Sequence, residues 1–143
     1  MSFSETVSPL LGRCALVWFY ASGLVKIIEH WSNFAEQLSS RHVPLPPLFL
    51  VVGLILVVMG CFSLLFGYHT RHGAVLLFGL TIVAAFALHD FWHMADGAAR
   101  GVEFDIFSRD LAISGGLLLM VGMGAGPFAI DNRTGGGGKG KRR

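Results

Sequence analysis

Four apolar runs dominate the chain, from about Leu10 to Ile28, Pro46 to Gly67, Gly73 to Trp92 and Leu111 to Ile130. Each holds about 20 residues, which as a helix rising 1.5 Å per residue covers the roughly 30 Å hydrocarbon layer of a bilayer. Within that layer the backbone must satisfy its own hydrogen bonds, so runs of this length are read as helices. Only 14% of the 143 residues are charged, and nearly all of those fall between the runs, a distribution that suits membrane spans and not the core of a soluble domain. The expected fold is all-α, a four-helix transmembrane bundle of up-down connectivity. A short segment, 1–9, precedes the membrane domain, 10–131, and a tail, 132–143, follows it.

A secretory signal peptide would place Lys or Arg before the first run and small residues after it. Instead Glu5 precedes the run, and Lys26 and Glu29 close it, so the run is expected to be retained. Lys and Arg then set the orientation. One side of the membrane collects Arg13, Arg71, Arg133, Lys139, Lys141, Arg142 and Arg143. The other holds Lys26, Arg41, Arg100 and Arg109 amid a majority of Asp and Glu. Positive-inside places both termini in the cytoplasm of a bacterial-type inner membrane. Trp31, Trp92 and Tyr68 suit the interfaces, while Trp18 falls in mid-span.

The segment His69-Thr70-Arg71-His72 is short enough to require a tight turn, making the second and third spans antiparallel neighbours. Residues 29–45 and 93–110 are read as polar outer loops, the first closing on Pro44, Pro46 and Pro47, which suit a helix start. Gly53, Gly60, Ser114, Gly115, Gly116 and the Gly122/Gly126 pair are candidates for close helix approach. The Gly-rich basic tail has nothing to bury and is expected to be disordered. Cys14 and Cys61 both lie in apolar runs and offer no disulfide framework.

Ionisable groups at the edge of a span are costly, which makes them functional candidates. Lys26 lies about 24 Å from Leu10, and His89 about 24 Å from Gly73, at the helical rise, so both reach the outer interface. Glu29, His30, Asp90, His93, Arg109 and Asp110 belong to the same level. If the first, third and fourth spans adjoin, Lys26, His89 and Asp110 come within hydrogen-bonding or one-water reach. Snorkelling and helix capping explain any one of these residues equally well.

Three chemistries fit the ensemble. His89-Asp90-Phe91-Trp92-His93 is similar to a zinc-binding HExxH helix with aspartate for glutamate, but it lacks a third ligand, and no metal is assigned. His30 facing His89 or His93 could hold a haem between helices. A quinone headgroup pocket would use Lys26 or His89 as donor and Asp90 or Asp110 as proton acceptor, with Trp92, Phe91 and Phe107 as its wall. Transport is disfavoured, because no charge lies in mid-span.

GRCALVWFYASGLVKI (Gly12 to Ile27), VPLPP (Val43 to Pro47), GYHTRHGA (Gly67 to Ala74), LHDFW (Leu88 to Trp92) and RDLAISGGLLLM (Arg109 to Met120) occur in an order that resembles the DoxX family of small four-span membrane proteins. The resemblance covers about Leu11 to Asp131 and matches family positions at Arg13, Lys26, His89, Phe91 and Trp92. It implies association with quinone-linked redox complexes, such as the small membrane subunit of thiosulfate:quinone oxidoreductase. Many relatives have a glutamate where Val57 stands here, and often Lys-Asn in place of Arg109-Asp110.

The expected function is therefore that of an inner-membrane subunit of a quinone-linked respiratory or oxidoreductase complex, contributing to a quinone site or to membrane anchoring. An auxiliary subunit is favoured over a free-standing enzyme. A non-catalytic scaffold and a bis-histidine haem subunit are the alternatives. The expected partners are the bilayer and either a larger membrane complex or further copies of the chain; no nucleic acid is expected.

Overall fold

The computed structural model describes the backbone of residues 3–124, 126 and 128–130, and side chains from Val7 onward. Among the described residues five helices make up the fold: α1 (Phe3–Glu29), α2 (Trp31–Ser40), α3 (Pro46–Phe66), α4 (Thr70–Leu88) and α5 (Gly97–Met123). Among the described residues there are no strands. Four helices, all but α2, are long and apolar enough to cross a membrane. They form the up-down bundle read from the sequence.

The helix limits follow local chemistry. Pro46 and Pro47 occupy the first turn of α3, where the missing amide hydrogens cost nothing. Gly67 ends that helix in the left-handed region at φ 67°, and its buried Cα lies against Ala129 and the Arg13 guanidinium. Only residues 67–69 separate α3 from α4, so the two are antiparallel neighbours. α4 packs in turn against α5, and α1 against α3.

Leu64, Leu77 and Leu117, one each from α3, α4 and α5, are fully buried at the centre, with Tyr20 of α1 joining them. The outward faces are just as apolar: Trp18 is 76% exposed and Leu119 67%. Such surfaces are at home against acyl chains, not water. Gly60 lets α3 and α4 approach, since a Cβ there would fall 2.5 Å from Cγ of Leu77. Ser114 is buried and Gly116 faces Leu16, whereas Gly53, Gly115 and Gly122 border open space. Only part of the small-residue set serves helix contact.

Three segments differ from the sequence reading. Residues 31–40, expected as loop, form α2, whose Trp31, Phe34, Ala35 and Leu38 recur at helical spacing on the less exposed face. The third span ends at Leu88 rather than Trp92, because His89 turns to extended backbone (φ −107°, ψ 101°). The fourth helix begins at Gly97, capped by the Asp96 side chain on the Ala98 amide, and stops at Gly124, so it is offset toward its N-terminus from the expected 111–130. The tail, 132–143, lies outside the described residues.

Candidate functional site

The polar groups gather where α4 ends and α5 passes. α5 presents Glu103, Phe107, Asp110 and Ser114 at intervals of four, three and four residues, which is one helical face. That face meets the end of α4. His89 faces a carboxylate at each ring nitrogen: Nδ1 is hydrogen-bonded to Glu103 Oε2 at 2.7 Å, and Nε2 lies at ion-pair distance, 3.6 Å, from Asp110 Oδ2. The imidazole is only 14% exposed, and the Asp110 side chain 12%.

Asp110 has a second partner. Its Oδ1 accepts from Nε and Nη2 of Arg109 at 3.3 and 3.2 Å, and the Arg109 guanidinium lies 5.3 Å above the Phe19 ring, linking α5 to α1. Ser114 donates to the Asp110 carbonyl at 2.9 Å. The Asp110 and Glu103 carboxylates raise the His89 pKa above its ordinary 6.5, with Asp110 the larger influence, while burial works in the opposite direction. With His89 protonated, two cations meet two carboxylates and the cluster is neutral.

α2 secures the end of α4. Gln37 Nε2 and Arg41 Nη2 both donate to the Leu88 carbonyl, at 3.2 and 3.1 Å. They satisfy an orphan acceptor of the last turn and bring a cation to the negative end of the helix. Arg41 also pairs with Asp90 at 3.8 Å, and Asp90 in turn receives the His93 imidazole at 2.5 Å. Beside the cluster, Phe86, Phe91, Trp92, Phe104 and Phe107 form a continuous set of ring contacts, with Phe91 at its hub.

The geometry divides the expected residues. His89 and Asp110 meet as expected, and Trp92 stands in the aromatic wall. Asp90 belongs to the adjoining Arg41 pair. Lys26 does not join them: it is exposed in the last turn of α1 and makes no ion pair or side-chain hydrogen bond among the described residues. That is the snorkelling arrangement, with the ammonium toward water at a helix C-terminus. His30 is an exposed N-cap of α2, and the His93 side chain is 76% exposed. The HExxH likeness fails on geometry, because residues 89–93 are extended and turn, so the two histidines share no helical face.

Glu103 went unrecognised as a site residue because residues 93–110 read as loop; its spacing from Asp110 was the available signal. A deeper pair was also missed. Tyr20 and Thr81 are hydrogen-bonded at 2.5 Å in the core, and because Thr81 Oγ1 donates to the Leu77 carbonyl, the phenol is the donor between them.

A four-span helical membrane protein with an acid-imidazole-acid cluster at one end of the bundle is thus the class that fold and site define. The DoxX family model matches residues 8–90, and the chain belongs to the DoxX family. It is similar to the inner membrane protein YqjF of Escherichia coli K12, 34% identical over 128 residues that cover 89% of this chain and 92% of that one. It is also similar to the inner membrane protein YphA of the same organism, 28% identical over 131 residues, with coverage of 91% and 92%. No solved structure gives a significant match. The family match stops at Asp90, so the α5 half of the cluster lies beyond it.

Proposed function

We propose that the chain is an inner-membrane auxiliary subunit of a quinone-linked redox complex, and that the Glu103-His89-Asp110 cluster forms part of a quinone headgroup site. The observation that carries this reading is a largely buried imidazole held between two carboxylates at the edge of an apolar bundle. The residues fit such a group. His89 Nε2 is only loosely held by Asp110, at 3.6 Å, and so can donate to an incoming carbonyl, while the 2.7 Å contact to Glu103 keeps the ring oriented. Asp110 is within reach as a proton acceptor, and Phe91, Trp92 and Phe107 supply a wall for a flat ring. When bound, a quinone would supply two-electron redox chemistry; the side chains supply orientation and proton exchange.

In this reading the Lys and Arg excess keeps both termini and residues 69–72 in the cytoplasm, and the cluster faces the opposite side. Location in the inner membrane is supported by the names of both relatives.

A scaffold is the second reading, favoured by one feature of the same contacts: His89, Glu103 and Asp110 also tie the end of α4 to α5, as a structural clamp would. Isolation of the complex in mild detergent from cells carrying His89→Phe or Glu103→Gln separates the two. A quinone site predicts normal recovery of partner chains with lost quinone turnover. Lost assembly with normal turnover in whatever complex remains would make the chain a scaffold.

A further inference from the structure

The end of the bundle opposite His89 carries a different surface. A groove of about 520 Å³ runs between α3 and α4, lined by Met59, Phe62, Phe66 and Leu76 along the helices and by Tyr68, His69 and His72 at the turn. Gly73 lines it and is buried against Ser63, where an added Cβ would clash, so the two helices meet closely at that point. Its apolar length lies on two membrane-spanning helices, with Phe62 and Phe66 about half exposed, so hydrocarbon is its natural contents. Its polar end coincides with the helix ends, where lipid headgroups sit.

Charge decides which headgroup. Between Glu36 and Asp90 the sequence contains no Asp or Glu, so α3, the turn and α4 offer no carboxylate to this end. Arg71 and the buried Arg13 lie at the same end, the first beside Gly124 and the second donating to the Leu65 carbonyl. Most of the acidic residues lie toward the His89 end instead. An amphiphile here would therefore place its acyl chain on Phe62 and Phe66, and its headgroup against two imidazoles, among lining residues that include no carboxylate.

We infer that the α3/α4 groove, closed by His69 and His72, is a binding site for an anionic phospholipid, with the phosphate at the histidine end. The ring contacts hold this end in shape: the Tyr68 and His69 rings meet edge to face at 4.3 Å, and His69 and His72 lie 5.6 Å apart. The site is distinct from the proposed quinone cluster and stands or falls separately from it.

The test uses the full chain, purified in a neutral detergent, stripped of lipid and titrated with phosphatidylglycerol or phosphatidylcholine, with bound lipid counted by native mass spectrometry. One saturable phosphatidylglycerol site is expected, with weaker phosphatidylcholine binding. His72→Glu should weaken phosphatidylglycerol by about fivefold or more, since one unit of charge near a lipid surface is worth roughly 1 kcal/mol, and should leave phosphatidylcholine unchanged. Phe62→Ala should weaken both. His93→Gln, on an exposed residue at the other end, should alter neither. Equal affinity for the two lipids, insensitivity to His72→Glu, or replacement of the lipid by a co-purified prenylquinone would overturn the assignment.

Discussion

His89 makes the account testable by pH alone. Its native pKa lies above the ordinary 6.5, so the folded state binds the proton more tightly than the unfolded chain does. The stabilisation is complete below about pH 6.5 and is lost as pH rises through the native value. The thermal midpoint of the detergent-solubilised protein should therefore fall across that window, and His89→Gln should flatten the fall. A midpoint that climbs over the same range would show His89 folded in its neutral form. The same substitution removes the imidazole bond to Glu103, a cost of about 1–3 kcal/mol for a largely buried polar group that loses its partner, while Asp110 keeps Arg109. Of this cluster, the level of His89 and Asp110 was legible from helical rise alone. The absence of Lys26 was not, because rise fixes depth and says nothing about which way a residue faces around the helix axis.

At the scale of helices, close approach of α3 and α4 rests on Gly60. Gly60→Val should drive a side chain into the fully buried Leu77 and lower the unfolding midpoint, by an amount that overpacking puts at about 1–3 kcal/mol. Gly53→Val, with open space around it, is the matched control and should be neutral. Thermal unfolding in one detergent decides between them, and equal effects would deny Gly60 its role. The number and order of spans could be read from apolar length, because a bilayer imposes that length directly. α2 and the first turns of α5 could not, since both lie among charges that also suit a loop. In α5 the apolar stretch begins about halfway along, and the polar turns before it are secured by tertiary contacts of Glu103 and Phe107 that no local pattern announces.

At a larger scale the acidic charge is uneven: most acidic residues lie toward the His89 end, and α3, the turn and α4 carry none. Positive-inside reads orientation from Lys and Arg instead, which the sequence places in excess at the end that carries Arg13 and Arg71. In a background with Cys14 and Cys61 replaced by serine, Tyr68→Cys should resist an impermeant thiol reagent in intact cells and Ser39→Cys should react; both sites are exposed, so access to the membrane face is what the reagent reads. The reverse pattern would place the His89 cluster on the cytoplasmic side. The central claim, that this cluster receives a quinone headgroup, is reached most directly by calorimetric titration of a short-chain quinone into the purified full chain. The account predicts saturable binding that weakens at least about tenfold, or 1.4 kcal/mol, in His89→Phe and stays unchanged in His93→Gln. Binding that is absent, or that His89→Phe leaves untouched, would contradict it.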